Sequence, residues 1–196
     1  MKSILTAETR ISKGLANRLL GALTLTVTIA VFVAFLPAQS SMPPAKLEPV
    51  FDLHMALSKP NDIGQTSSAG LRRASLSTGT IIGTGVYKGM EGKILSGADY
   101  QIIRPDGYTE LDARYLAQMD NGDMLYMTNK GMRRGPADIL AKLNAGEKID
   151  QSKIYFRTVI SVETASKKYD WMNGTIMVAV GERLPTEAIL HVYRLD

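Results

Sequence analysis

The chain has no cysteine among its 196 residues and only two histidines, His54 and His191. The first absence excludes disulfide staples, iron–sulfur clusters and cysteine nucleophiles, and leaves either side of a bacterial inner membrane open. The histidines fall in the first and last expected strands, but a metal site built on them lacks a third ligand, so no metal is expected. No serine lies in a nucleophile-elbow pattern. Gly83, Gly85, Gly89 and Gly92 do not form a phosphate loop; glycines so placed mark bends or bulges in strands. Nothing in the sequence calls for a cofactor.

An evenly spread basic excess is also lacking. The net charge is +4 and the isoelectric point near 9.2. Lys2, Arg10, Lys13 and Arg18 stand against Glu8 alone in residues 1–40. Of 23 basic and 19 acidic groups, removing those four and that one leaves 19 against 18. The remainder is near neutral, which removes the electrostatic case for nucleic acid as a partner.

A long apolar run is present. Leu19 to Leu36 (LLGALTLTVTIAVFVAFL) carries no charge, follows basic residues and precedes Pro37-Ala38-Gln39-Ser40. That layout is the one of a secretory signal, with Ala38 and Ser40 at −3 and −1 of a cut before Ser41. The competing reading is an uncleaved anchor, since eighteen residues sit at the lower limit for spanning a bilayer. Either reading puts residues 50–196 outside the cytoplasm, in the periplasm or otherwise exported, with any membrane contact made by an uncleaved leader. Residues 41–49, with three prolines, read as a tether.

After the tether, short alternating runs are separated by turn residues. This is the pattern of an all-β barrel. Phe51, Leu53 and Met55 alternate with Asp52 and His54. Ala98 to Arg104, Glu110 to Met119 and Asp123 to Lys130 form a three-strand meander, turned by Pro105-Asp106-Gly107 and by Asn121-Gly122. Pro136 to Leu143, closed by Gly146, reads as one short helix. Lys153 to Glu163, Ile176 to Gly181 and Ala188 to Leu195 complete the sheet, with a turn at Tyr169 to Asn173. About eight to ten antiparallel strands in a single domain favour closure, which removes exposed edges.

Several motifs carry a resemblance: Gly97 to Gly107 (GADYQIIRPDG), Leu111 to Tyr115 (LDARY), Tyr126 to Gly131 (YMTNKG), Tyr155 to Arg157 (YFR), Tyr169 to Asn173 (YDWMN) and Gly181 to Arg183 (GER). In this order they resemble domain-of-unknown-function family 3237, also called uncharacterised protein family 0311, over nearly all of residues 50–195. The leader is an addition to that pattern. Ser77-Thr78-Gly79 stands in place of a glycine pair, Ser96 in place of a glycine and Tyr100 in place of a tryptophan. The resemblance implies a lipocalin-like barrel and brings no agreed catalytic residues.

Alternation places Glu110, Asp112 and Arg114 on one strand face, and Tyr155, Arg157 and Glu163 on another. Asp99 and Gln101 share a face, and Tyr126 and Asn129 lie in opposite phase. If the polar faces point into the barrel, Asp99 or Asp112 is a candidate general base, its pKa set by burial and by Arg114 or Arg157. Tyr126, Asn129, Tyr155, Arg157 and Trp171 are then candidate substrate-binding residues. If those faces point outward, the same residues are a solvated surface with ordinary salt bridges. The Arg72-Arg73 and Arg133-Arg134 doublets read as solvated.

Two functions follow. One is a cofactor-free lyase, isomerase or cyclase acting by general acid–base chemistry on a small, partly apolar, aromatic or polyketide-like molecule. The other is a non-catalytic periplasmic carrier of a hydrophobic small molecule; a structural role at the cell envelope, and a homo-oligomer, stay open.

Overall fold

The computed structural model describes residues 43–67 and 70–196. The expected leader, residues 1–40, lies outside the described residues, as do the first two positions of the tether. Among the described residues no helix is long and apolar enough to cross a membrane.

Among the described residues nine strands form in order: β1 (Leu47–Leu57), β2 (Asn61–Thr66), β3 (Gly70–Gly83), β4 (Glu91–Ile103), β5 (Thr109–Met119), β6 (Met124–Arg134), β7 (Tyr155–Glu163), β8 (Met177–Arg183) and β9 (Glu187–Leu195). One helix, α1 (Ala137–Asn144), sits between β6 and β7. Each strand pairs antiparallel with the next from β3 to β9; β9 pairs with β1, and β1 pairs with β3. That last pairing closes an eight-stranded barrel. β3 is long enough to change partners, its first part pairing with β2 and Ser77–Gly83 with β1. β2 is therefore a flap on the barrel rather than a stave.

The meander and the helix form where local chemistry asks for them. In the β4–β5 turn, the Tyr108 N–H donates to Asp106 Oδ1 at 3.2 Å and Gly107 takes φ +83°. Gly122 takes φ +87° in the β5–β6 turn, a conformation that glycine adopts without penalty. Pro136 caps α1, its fixed φ already suited to a helix start. The expected tether is shorter than its prolines suggest, because β1 begins at Leu47 and pairs there with Leu195.

The barrel interior has two unlike halves. Toward the β3–β4 turn it is filled by apolar side chains, including Ile81, Met119, Leu125, Met127, Val162 and Met177. This end is plugged by Met172 and by Tyr87 stacked on Trp171, ring centres 5.0 Å apart. Toward α1 the inner wall turns polar. α1 itself covers a separate small cluster of Leu143, Ile149 and Ile154.

Candidate active site inside the barrel

The inner wall of the polar half is set by strand register. Directly paired residues on antiparallel strands share a face. Asp99, Ala113, Asn129 and Ile160 form one such row across β4–β7, and Gln101, Leu111, Gly131 and Thr158 form the next. Thr109, Arg133 and Phe156 make a third, nearer the rim. Asp99 and Asn129 therefore project inward from one row, two strands apart, with the small Ala113 between them.

A β-bulge decides the phase of β4. The register shifts between Ile94 and Ser96, leaving Leu95 exposed and unpaired. Ahead of it Gly92 and Ile94 face inward; after it Gly97, Asp99 and Gln101 do. Without the extra residue, Asp99 and Gln101 would face solvent. Gly97 also makes room for Tyr115, since a Cβ there would stand 2.6 Å from the phenol ring.

Electrostatics single out Asp99. Burial pushes its carboxyl pKa above the ordinary range; the hydrogen bond from Gln101 Nε2 to Oδ2, at 2.6 Å, and the Arg133 charge pull it back only in part. Burial lowers the Arg133 guanidinium to about 10, helped by the charges of Arg183 and Arg73 and opposed by Asp99. Burial raises the Tyr115 phenol, and the negative charge of Asp99 raises it further. At neutral pH the tyrosine and arginine are therefore protonated donors beside a carboxyl group perturbed toward neutrality.

The four most telling atoms are Asp99 Oδ1, Asn129 Oδ1, Arg133 Nε and Thr158 Oγ1. All are shielded from solvent and none has a hydrogen-bond partner among the described residues. Buried polar groups in native proteins are paired with few exceptions, and each orphan costs about 1–3 kcal/mol. Acceptors and donors are thus held ready on adjacent rows of one wall, with the apolar Leu111, Phe156 and Ile160 beside them.

The structure brings Asp99 and Asn129 together and separates them from the other candidate site residues. Asp112 and Arg114 lie on the outside of β5, each more than 40% exposed, 3.5 Å from one another. Tyr126, Tyr155 and Arg157 also face outward, and Trp171 belongs to the plug at the far end. The conditional reading that brought all the polar faces inward is corrected for β5 and β7. There the alternate faces are apolar and bury far more cheaply than charges do. The Arg133-Arg134 doublet is corrected as well: Arg133 is only 9% exposed and faces the interior, while Arg134 faces solvent. Gln101 lies on the face it shares with Asp99, as expected, whereas Arg133, Tyr115 and Thr158 are the residues that pattern reading missed. Their signal was phase: each lies an even number of positions from a residue of the inner face.

His54 and His191 do not form a shared metal site. His191 sits outside, between Asp52 at 2.9 Å and Glu182 at 3.1 Å, and His54 stands 3.7 Å from Glu187. Among the described residues no group of three histidines or carboxylates is arranged to hold a metal.

Comparison with known proteins places this geometry. The family model described as "Protein of unknown function (DUF3237)" matches residues 44–195. A UPF0311 protein of Clostridium acetobutylicum is 37% identical over 151 residues, covering 76% of this chain and 93% of that one. The solved structure of a conserved protein of unknown function from Rhodopseudomonas palustris is 32% identical, with TM-score 0.73 over 79% of this chain and 100% of that one. A β-barrel-like protein from Acinetobacter baumannii is 37% identical, with TM-score 0.68 over 81% and 100%. An enzyme from Penicillium herquei shares the fold at 19% identity, with TM-score 0.52 over 80% and 98%. With its whole barrel matched and several relatives above 30% identity, this chain belongs to the DUF3237 (UPF0311) family.

Proposed function

We propose that the barrel is a cofactor-free acid–base catalyst, a lyase, isomerase or cyclase, acting on a small and partly apolar molecule held in its polar half. The observation that carries this reading is the group of orphaned buried atoms around Asp99, a carboxyl whose pKa burial raises. A stability-driven core would replace such atoms with apolar ones; sites that retain them use them.

The chemistry that fits is proton transfer. Asp99, as carboxylate, takes a proton from an acidic C–H or O–H of the ligand, and the freed electron pair moves onto a ligand oxygen. Arg133 and the protonated Tyr115 are placed on the same wall to stabilise that enolate or phenolate. The pair then forms the new bond or expels a leaving group, and Asp99 returns its proton. Asn129 and Thr158 orient the ligand, while Leu111 and Phe156 take its apolar part. Arg73 and Arg183 add positive charge near the site, which favours an anionic intermediate. The fold of the Penicillium herquei enzyme supports a barrel of this kind as a catalytic scaffold. The apolar leader supports a location outside the cytoplasm.

A carrier would use the same orphaned atoms to hold a ligand and release it unchanged, so the experiment must separate the two. The protein is incubated with a small-molecule extract of its own organism, and the mixture is compared by mass spectrometry with an Asp99→Asn control. A species consumed by the native protein and untouched by the variant supports the catalyst, including a mass-neutral isomer seen as a retention shift. A species retained unchanged by both supports the carrier.

A further inference from the structure

The outer wall carries a second feature that the interior site does not use. Outward faces of antiparallel barrels are ordinarily polar, yet the outside of β6–β9 is apolar over several residues. Met132, Val159, Val178 and Val180 line one shallow groove there, with Val159 half exposed and Met132 40% exposed. The groove has a volume of about 460 Å³ and ends at Tyr155 and Arg157. Those two residues also line a neighbouring cleft of about 530 Å³, between the β4–β5 turn and the start of β7. The two depressions therefore meet at one aromatic–guanidinium pair.

The second cleft is cationic and preorganised. Arg134 and Arg157 lie 5.0 and 5.1 Å from the Tyr155 ring centre, and Arg134 also lies 5.5 Å from that of Tyr108. Stacking on rings restrains the long side chains and costs part of their freedom in advance. Arg104 completes the ladder over Tyr108 but is held by Asp106 at 2.5 Å and by Glu110 at 3.3 Å. Among the described residues Arg134 and Arg157 form no ion pair with a carboxylate, while one Arg157 Nη donates to the Phe156 carbonyl at 2.8 Å. Lys153 adds a third cation to the lining, and Asp106, neutralised by its pair with Arg104, contributes a carboxylate. Two rigid forks without counter-ions match the planar, bidentate geometry of an oxyanion head.

We propose that this outer cleft and groove form one binding site for a single-chain amphiphile, its carboxylate or phosphate head on Arg134 and Arg157 and its alkyl tail along Met132, Val159 and Val178. Charge decides against a second copy as occupant. A two-fold interface sets each patch against itself, and would bury the Arg134 and Arg157 cations of both copies in one interface with no carboxylate to pair them. Each depression falls within the ordinary size range of a small-molecule site, on the order of 300–1,000 Å³, so a single alkyl chain fits along the groove.

The test uses the barrel from residue 43 onward, which corresponds to the whole extent of the Rhodopseudomonas palustris structure. Decanoate is titrated calorimetrically below its micelle threshold, with decanol and acetate as probes lacking the head charge and the tail. Saturable binding of decanoate at one per chain is expected, weakened at least tenfold for decanol and acetate. Arg134→Gln with Arg157→Gln should weaken it at least tenfold, Val159→Asp similarly, and Asp99→Asn not at all. Circular dichroism of each variant shows whether the barrel persists; both arginines are exposed, so it should. Decanoate binding abolished by Asp99→Asn but kept by the arginine pair would put the amphiphile inside the barrel and overturn the proposal. So would equal affinity for decanol, no saturable binding, or association with anionic phospholipid vesicles without binding of monomeric decanoate.

Discussion

The two halves of the barrel interior are built from the same strands and serve different ends. Toward the β3–β4 turn, Leu125, Met127, Met119 and Met177 are at most 2% exposed and pack with no polar atom among them. Toward α1, the same β5, β6 and β7 present Arg133, Asn129, Thr158 and Tyr115 inward, with acceptors and donors left unpaired. The first half supplies hydrophobic stabilisation that the second partly gives back. Local deficits of this kind persist where a site needs them.

The largest effect should come from the polar half. Asp99→Asn keeps the side-chain shape and removes the base, and turnover of the substrate identified by mass spectrometry should fall by about 10²–10⁴-fold. In the native protein, the acid limb of the rate–pH profile should lie above the ordinary aspartate value of about 3.9, because burial raises the Asp99 pKa. Turnover that survives the change would remove Asp99 from the mechanism.

Leu125→Ala tests the opposite half. A buried leucine truncated to alanine costs about 2–5 kcal/mol, measured as a shift of the chemical-denaturation midpoint. Activity per folded molecule should be unchanged, and a loss of activity without a loss of stability would show that the halves are coupled. Thr158→Val sharpens the contrast with a smaller change of the other sign. Its Oγ1 is an orphan, so removing the hydroxyl should stabilise the fold by up to about 1 kcal/mol while slowing turnover. If both stability and turnover fall, the hydroxyl has a partner in solution.

The smallest effect belongs to the outer seam of β1, β9 and β8. Burial lowers the His191 pKa, but the Asp52 and Glu182 carboxylates outweigh it and hold it above its usual value. The folded state thus binds the proton more tightly than the unfolded chain. The resulting stabilisation is full below about pH 6.5 and is lost as pH rises through the folded-state value. Solvent screening keeps it below about 1 kcal/mol. Melting temperatures at pH 5.5 and 9 should differ more for the native protein than for His191→Gln.

Much of this fold was legible from local chemistry. Pro105-Asp106-Gly107 and Asn121-Gly122 specify turns through their own backbone preferences, and alternation on either side specifies strands. Pro136 and the apolar spacing after it specify α1 within a residue. The site was less legible, and β5 shows why. Its alternation separates Glu110, Asp112 and Arg114 from Leu111, Ala113 and Tyr115 clearly, but a pattern of two faces does not say which is inside when the interior itself contains polar groups. On β4 the pattern is broken by the bulge at Leu95, which no composition signal marks. On β3 the polar Ser75 and Ser77 hide a strand of fourteen residues.

What the sequence determined by itself was therefore seven of the nine strands, β1 and β4 to β9, with their turns, the helix and the family, because these depend on residues near one another along the chain. Tertiary structure alone decided that Asp99 and Asn129 share one inward row and that Arg133 points in while Arg134 points out. Those outcomes depend on cross-strand register, on one extra residue at a bulge and on the β1–β3 pairing that closes the wall, and all three join residues distant in sequence.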